Sequence, residues 1–294
     1  MDMDISDEKL IEEVKKRLDE KNRAINDLRA TTLNLEDVNK KLQDSESLKS
    51  NFLSNIRNEI NNPLTTLVAL SGELSVMKSF EEEDISSFIR MIYLEALNLD
   101  FQIRNVLMAA DLEAGESKLN ITKTDLNSII DSCLKNLTPF MEIHKINLIK
   151  EGPEDIWINT DSDRLFIAIL NLLRNGINFN REGGRLEISF GESDEEFFFT
   201  VKDEGIGIES KDQQIIFDRF KQLDAGTQKK YMGHGLGLSV TKAAVESIDG
   251  LISVESQPGE GSSFTLMCKK QMENEIGGIS TTGIEFFCDA DEEF

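Results

Sequence analysis

The first fifty residues carry an apolar seam in a charged background. One heptad position is filled by Ile11, Leu18, Ile25, Thr32 and Asn39, the other by Val14, Lys21, Leu28, Leu35 and Leu42. No proline or glycine interrupts residues 7–50. Apolar residues recurring at this period over four heptads predict a coiled coil, because the repeat keeps one face turned to a partner helix. Lys21 and Asn39 weaken the seam and help to fix its register. A long helix in a parallel dimer is expected.

The pattern continues from Leu48 to about Met77 through Phe52, Ile56, Ile60, Leu64, Leu67 and Leu74. Ser79–Asp84 then breaks it, with acids that suit the first turn of a following helix. A second amphipathic helix is predicted from about Ile85 to Leu112, with Phe88, Ile92, Leu99, Ile103, Val106 and Leu107 on its apolar side and Gly115 as its stop. Two long helices joined by a short loop predict an antiparallel hairpin, and two such hairpins a four-helix bundle. After Glu116 short β-like runs appear at Leu119–Ile121, Ile146–Ile149, Leu186–Phe190, Phe197–Val201, Leu251–Ser256 and Ser263–Leu266. Helical stretches separate them at Leu126–Ile143, Asp161–Asn178 and Leu236–Ile248. The class is α+β: a coiled coil and hairpin, then a sandwich of one mixed sheet and a layer of helices. The expected divisions are 1–47 (coiled coil), 48–116 (hairpin), 117–270 (sandwich domain) and 271–294, an acidic, weakly patterned tail expected to be disordered.

Composition narrows the function. The chain has 294 residues, 32 basic and 55 acidic, for a net charge of −23. That balance argues against nucleic acid, whose binding relies on Lys and Arg neutralising phosphates, and against anionic membrane surfaces. No apolar run approaches the roughly 18 residues of a membrane span, and Met1-Asp2-Met3-Asp4 is acidic where a signal peptide is basic. Cys133, Cys268 and Cys288 are too few and scattered for a disulfide framework or a zinc site, and read as free thiols. A soluble cytoplasmic protein without membrane insertion is expected.

Three glycine-containing segments lie in the sandwich domain. Asp203-Glu204-Gly205-Ile206-Gly207 follows a strand, Gly233-His234-Gly235-Leu236-Gly237 opens a helix, and Gly259-Glu260-Gly261 leads into the last strand. Glycines at a helix start let backbone N–H groups approach a phosphate, and the helix dipole favours its charge. There is no GxxxxGK[ST], which excludes a P-loop. Asn171-Leu172-Leu173-Arg174-Asn175-Gly176-Ile177-Asn178-Phe179 precedes these segments, and Ile216-Phe217-Asp218-Arg219-Phe220 lies between the first two. In this order and spacing the four boxes resemble the ATP-binding domain of sensor histidine kinases, over residues from about 118 to 270. That fold is shared with type II topoisomerases, mismatch-repair ATPases and a heat-shock chaperone.

The resemblance implies ATP and Mg²⁺ as ligands, and a role for each matching residue. Asn175 would hold Mg²⁺ against the phosphates, with Asn171 beside it. Asp203 would accept the adenine amino group, with Gly205 and Gly207 admitting the base. Gly233, Gly235 and Gly237 would cradle the phosphates, and Lys221–Met232 would form a mobile lid offering Lys229 and Lys230 as cations. A carboxylate suits an exocyclic amine, and an amide oxygen suits a hard cation. Asn178 and Gln222 stand where the family often carries basic residues, which removes positive charge near the phosphates.

The first hairpin helix carries Asn58-Glu59-Ile60-Asn61-Asn62-Pro63-Leu64, which resembles the phosphoacceptor box of the same kinases with asparagine in the histidine position. Asn51, Asn55, Asn58, Asn62 and Thr65 share a polar stripe away from the Ile56–Ile60–Leu64 seam, so Asn58 should face solvent. Pro63 removes the hydrogen bond to the Glu59 carbonyl and should kink the helix. An amide nitrogen delocalises its lone pair into the carbonyl and is no nucleophile at neutral pH. His144 and His234, the two histidines of the chain, both lie in the sandwich domain. Autophosphorylation in the usual place is therefore expected to be absent.

Three readings stay open. One is a dimeric, ATP-binding kinase core of two-component signalling whose acceptor is silent, by nature or by deliberate replacement. A second is a non-catalytic regulatory partner that pairs with another kinase, as a heterodimer, or with a response-regulator receiver domain. The third is a phosphatase acting on the aspartyl phosphate of a response regulator: Glu59 and Asn62 match the family's Glu/Asp-x-x-Asn/Thr pattern, and the Asn62 amide would orient an attacking water.

Overall fold

A computed structural model describes residues 7–76, 82–114, 118–218, 236–270 and 278–279. The chain divides into two units, Met1–Asn55 and Ile56–Phe294. Helix α1 (Asp7–Val76) begins in the first, where the seam residues Leu18, Ile25, Leu28, Leu35 and Leu42 are exposed. Thr32, in a seam position, satisfies its hydroxyl on the Leu28 carbonyl one turn back, at 2.9 Å.

In the second unit α1 runs on through Pro63, which is buried. Thr65 and Thr66 donate their hydroxyls to the carbonyls of Asn61 (2.7 Å) and Asn62 (3.1 Å). Helix α2 (Glu82–Ala114) follows, so Glu82–Asp84 of the expected break Ser79–Asp84 already belong to the helix; Ser79–Glu81 and the expected stop at Gly115 lie outside the described residues. Beyond it come β1 (Ile121–Asp125), α3 (Leu126–His144), β2 (Asn147–Glu151), β3 (Trp157–Asp161), α4 (Ser162–Asn178), β4 (Arg185–Glu192) and β5 (Glu196–Asp203), then α5 (Gly237–Ser247), β6 (Gly250–Gln257), β7 (Gly261–Lys269) and β8 (Gly278–Ile279).

Capping side chains set the helix starts. Asp125 accepts from the Asn127 N–H at 3.0 Å and opens α3, and Asp161 accepts from the Arg164 N–H at 3.1 Å and opens α4. Strands β2, β4, β5, β7 and β6 form a mixed sheet in that order, parallel at β2–β4 and antiparallel elsewhere. Alternation along β4 and β5 turns Leu186, Ile188, Phe190, Phe197, Phe199 and Val201 inward against α3, α4 and α5. Helix α4 lies between α3 and α5 and is buried over most of its length. A Cβ on Gly176 would lie 2.6 Å from Leu186 Cδ1, so glycine is what allows α4 to sit so close to the sheet.

Two features differ from the expected single sheet. Trp157–Asp161, to which the sequence pattern gives no strand, is one, and it pairs antiparallel with β1 in a second, three-stranded sheet ordered β3-β1-β8. Its inward positions, Ile158 and Thr160, are too few to give a period, and the pairing is long-range. Strand β8 falls in the tail expected to be disordered, where Gly278–Ile279 pairs in parallel with β1; the other residues from Gln271 onward lie outside the described residues. Helix α2 also has a second role. It packs on α3, α4 and α5, where Phe101, Met108 and Ala109 join the core, while Ile103 and Leu107 remain exposed.

Candidate nucleotide site

Strand β5 ends at Asp203, which is 5% exposed. Its Oδ1 accepts the N–H groups of Gly205 at 2.8 Å and Ser262 at 3.2 Å. No hydrogen bond from a described residue reaches Oδ2. Burial raises the carboxyl above its ordinary range, against the lowering effect of the two N–H groups. The turn that follows admits no side chain: a Cβ on Gly205 would lie 2.1 Å from the Phe179 carbonyl oxygen, and one on Gly207 would lie 1.9 Å from that of Gln257. Gly207 also has φ +68°, a conformation glycine adopts without strain.

This turn is tied to its surroundings on two sides. Ile206 donates to the Phe179 carbonyl at the end of α4 at 3.2 Å, and Gly259 donates to the Ile206 carbonyl at 2.8 Å. The Ser256 hydroxyl accepts from the Ile208 N–H at 2.8 Å and donates to the Gly261 carbonyl at 2.7 Å. The third glycine segment therefore serves the first, since Gly261 packs on the Asp203 backbone carbonyl and Ser262 donates to its carboxylate. Ser256 and Ser262 gave no sequence signal, because nothing local to either marks it as a neighbour of Asp203.

On α4, Asn171 and Asn175 lie one turn apart. Asn171 is 1% exposed. Its Nδ2 donates to Asn105 Oδ1 of α2 at 2.8 Å and to the Gly237 carbonyl at 3.1 Å, while its Oδ1 has no partner among the described residues. Asn175 and Asn178 are half-exposed. Gly237 begins α5 beside Asn171, whose Oδ1 would lie 3.5 Å from a Cβ at that position. The structure thus brings Asp203, Gly205 and Gly207 to the end of α4, and Gly237 to Asn171. An unmet amide oxygen and a carboxylate with an unused oxygen suit a cation and an amine, the donor types of a metal-bound purine nucleotide. Lys229, Lys230, Gly233, Gly235 and Gln222 lie outside the described residues, as does the Lys221–Met232 segment expected as a lid.

Asn58 and Asn62 are both exposed on α1, as their stripe requires. Glu59 lies between them in the helix, its side chain outside the described residues. Among the described residues no three His, Cys, Asp or Glu side chains cluster as a metal site, no helix is long and apolar enough to cross a membrane, and Cys133 and Cys268 are buried free thiols.

Comparison with known proteins agrees with this geometry. Residues 160–272 match the family model for histidine kinase-, DNA gyrase B- and HSP90-like ATPases. The sensor-like histidine kinase SenX3 of Mycobacterium tuberculosis is 28% identical over 221 residues, which is 75% of this chain and 54% of that protein. The sensor protein DivL of Caulobacter vibrioides is 31% identical over 242 residues, covering 82% of this chain and 31% of DivL. The chain therefore spans about half the length of the mycobacterial relative. The solved structure of the Acinetobacter baumannii histidine kinase AdeS shares the fold, with a TM-score of 0.52 and 20% identity over 73% of this chain and 98% of that one. Residues 160–272 belong with the ATPase domains of the histidine kinase, DNA gyrase B and HSP90 type, in a chain similar over three quarters of its length to a sensor histidine kinase.

Proposed function

We propose that this chain is an ATP-binding, dimeric transmitter of two-component signalling whose phosphoacceptor position, Asn58, takes no phosphate. The observation that carries the reading is an exposed carboxamide at that position in a chain that also holds a nucleotide-type site around Asp203. Asp203 Oδ2 would accept the adenine amine, while Gly205 and Gly207 let the turn beside it pack directly on the backbone of Phe179 and Gln257. Asn175 and Asn171 would hold Mg²⁺ through their amide oxygens, and Gly233, Gly235 and Gly237 would present N–H groups to the phosphates, aided by Lys229 and Lys230. Bound Mg²⁺ would neutralise phosphate charge that Asn178 and Gln222 do not. What the site then lacks is an acceptor: Asn58 offers no free nitrogen lone pair.

Two relatives in fold support the ligand and the partner. One, ShkA, was solved in complex with AMPPNP; another, ThkA, was solved in complex with the response regulator TrrA. By the same logic this chain would bind ATP and engage a receiver domain, as a homodimer through α1 and the hairpin, in the cytoplasm. The exposed Asn62, one turn beyond Asn58, favours a second reading, in which Glu59 and Asn62 support dephosphorylation of the receiver's aspartate. A regulatory pairing with a histidine-bearing kinase is the third. Calorimetric titration of the full chain with ATP and Mg²⁺ tests the shared premise. Saturable binding is expected, and absence of binding at millimolar nucleotide refutes it.

A further inference from the structure

We propose that Asn105 of α2 is a positioning residue for the nucleotide site, coupling the docking of α2 to the binding of nucleotide at the start of α5. The proposal rests on the nucleotide-binding reading above and adds to it a residue outside the four boxes.

Asn105 is 3% exposed. Its Nδ2 donates to the Phe101 carbonyl one turn back at 3.0 Å, which turns its Oδ1 away from α2 as an acceptor. Asn171 meets that oxygen with its own Nδ2 at 2.8 Å. The second N–H of Asn171 reaches the Gly237 carbonyl at 3.1 Å, and that carbonyl also accepts the Thr241 hydroxyl at 2.8 Å. The relay has one sense only. Flipping the Asn171 amide would set its oxygen against two other oxygens, so Asn105 and Gly237 together dictate that Oδ1 faces away from them.

A purely structural amide pair would be satisfied at both ends. Here Asn171 Oδ1 is buried and unmet by any described residue, beside the first turn of α5. Buried acceptors are almost always partnered, and an unmet one is costly unless something else binds it. Gln102 Oε1, on the same helix as Asn105, is likewise buried without a partner among the described residues, so the docked state carries a standing penalty. Against that penalty stand contacts along one face of α2. The Arg174 guanidinium sits 4.1 Å from the Phe101 ring centroid and 4.9 Å from that of Phe140, and donates to Asn98. Asn98, Phe101 and Asn105 thus grip Arg174 and Asn171, which are themselves one turn apart on α4. A polar grip with unmet acceptors is reversible by construction. A ligand that takes Asn171 Oδ1 in its docked orientation stabilises the docking, and docking must strengthen that ligand by the same factor.

The test uses the full chain, ADP with Mg²⁺ as the probe, and Asn105→Leu. Calorimetry should show affinity about 5- to 10-fold weaker in the variant, the worth of one buried hydrogen bond. Hydrogen exchange should show nucleotide protecting residues 98–109 of the unmodified chain, and no such protection in Asn105→Leu. In an Asn171→Leu background the Asn105 change should alter affinity by less than about twofold, since Asn105 acts through Asn171. If Asn105→Leu does not fold, Asn105→Ala, which removes the acceptor oxygen with less bulk, should show the same weaker affinity and the same loss of protection. Equal affinity and equal protection in the unmodified chain and in Asn105→Leu, or in Asn105→Ala where the leucine variant does not fold, overturn the proposal and leave the nucleotide site standing. No binding by the unmodified chain overturns both.

Discussion

Replacing Asp203 with asparagine separates recognition from folding at the site. The Oδ1 that holds the Gly205 and Ser262 N–H groups at 2.8 and 3.2 Å has an equivalent in asparagine, so the turn keeps both hydrogen bonds. The oxygen that changes is Oδ2, which becomes an NH₂ and sets a donor against the donor of an adenine amine. Losing one hydrogen bond to a charged acceptor is worth about 1.5–3 kcal/mol, so ATP affinity should fall about 10- to 150-fold. Stability should move the other way. Burial raises the Asp203 carboxyl, so the folded chain holds that proton more tightly than the unfolded chain does. Its contribution is full below the ordinary carboxylate value and is lost as pH rises through the raised one. The amide of Asp203→Asn has no such proton to lose, so the variant should gain stability relative to the unmodified chain as pH rises across that window. Isothermal titration near neutral pH checks the first half, and urea denaturation across a pH series checks the second. A change in affinity below about threefold, at any stability, would refute the assigned role of Oδ2.

The same geometry sets three further outcomes. Gly205→Ala should destabilise the domain by about 1–3 kcal/mol in urea denaturation and abolish nucleotide binding, because its Cβ would lie 2.1 Å from the Phe179 oxygen. Leu28→Glu should leave the 56–294 unit folded, since Leu28 is 68% exposed within one chain, yet shift sedimentation equilibrium from dimer towards monomer; an unchanged dimer contradicts the coiled-coil seam. Asn62→Ala should abolish any release of phosphate from a phosphorylated receiver domain, measured as loss of label, and activity surviving that change rules out the Asn62 mechanism.

Much of this architecture is legible from local pattern. Helices α3 and α4 begin within a residue of their expected starts because Asp125 and Asp161 are capping side chains whose effect is written into adjacent residues. Asp203, Gly205 and Gly207 sit together because they are nearly consecutive. What pattern misses is long-range. Strand β3 exists through its pairing with β1, forty residues away by the Ile121–Asp161 register. Ser262 reaches Asp203 across the β5–β7 pairing. Asn105 sits in an amphipathic helix whose apolar side already has an assigned partner, and nothing in its own pattern marks it as buried. Its burial follows from a second face of α2, formed by Phe101, Met108 and Ala109, that only the docked helix layer reveals.

If Asn58 alone silences an otherwise competent transmitter, restoring an imidazole there should restore the chemistry. The direct measurement is incubation with γ-labelled ATP and Mg²⁺ of the chain as it stands beside Asn58→His. Label on Asn58→His alone, lost in acid as a phosphoramidate is, is the predicted result. Label on neither, with nucleotide still bound, contradicts that role for Asn58 and moves the regulatory-partner reading ahead of it.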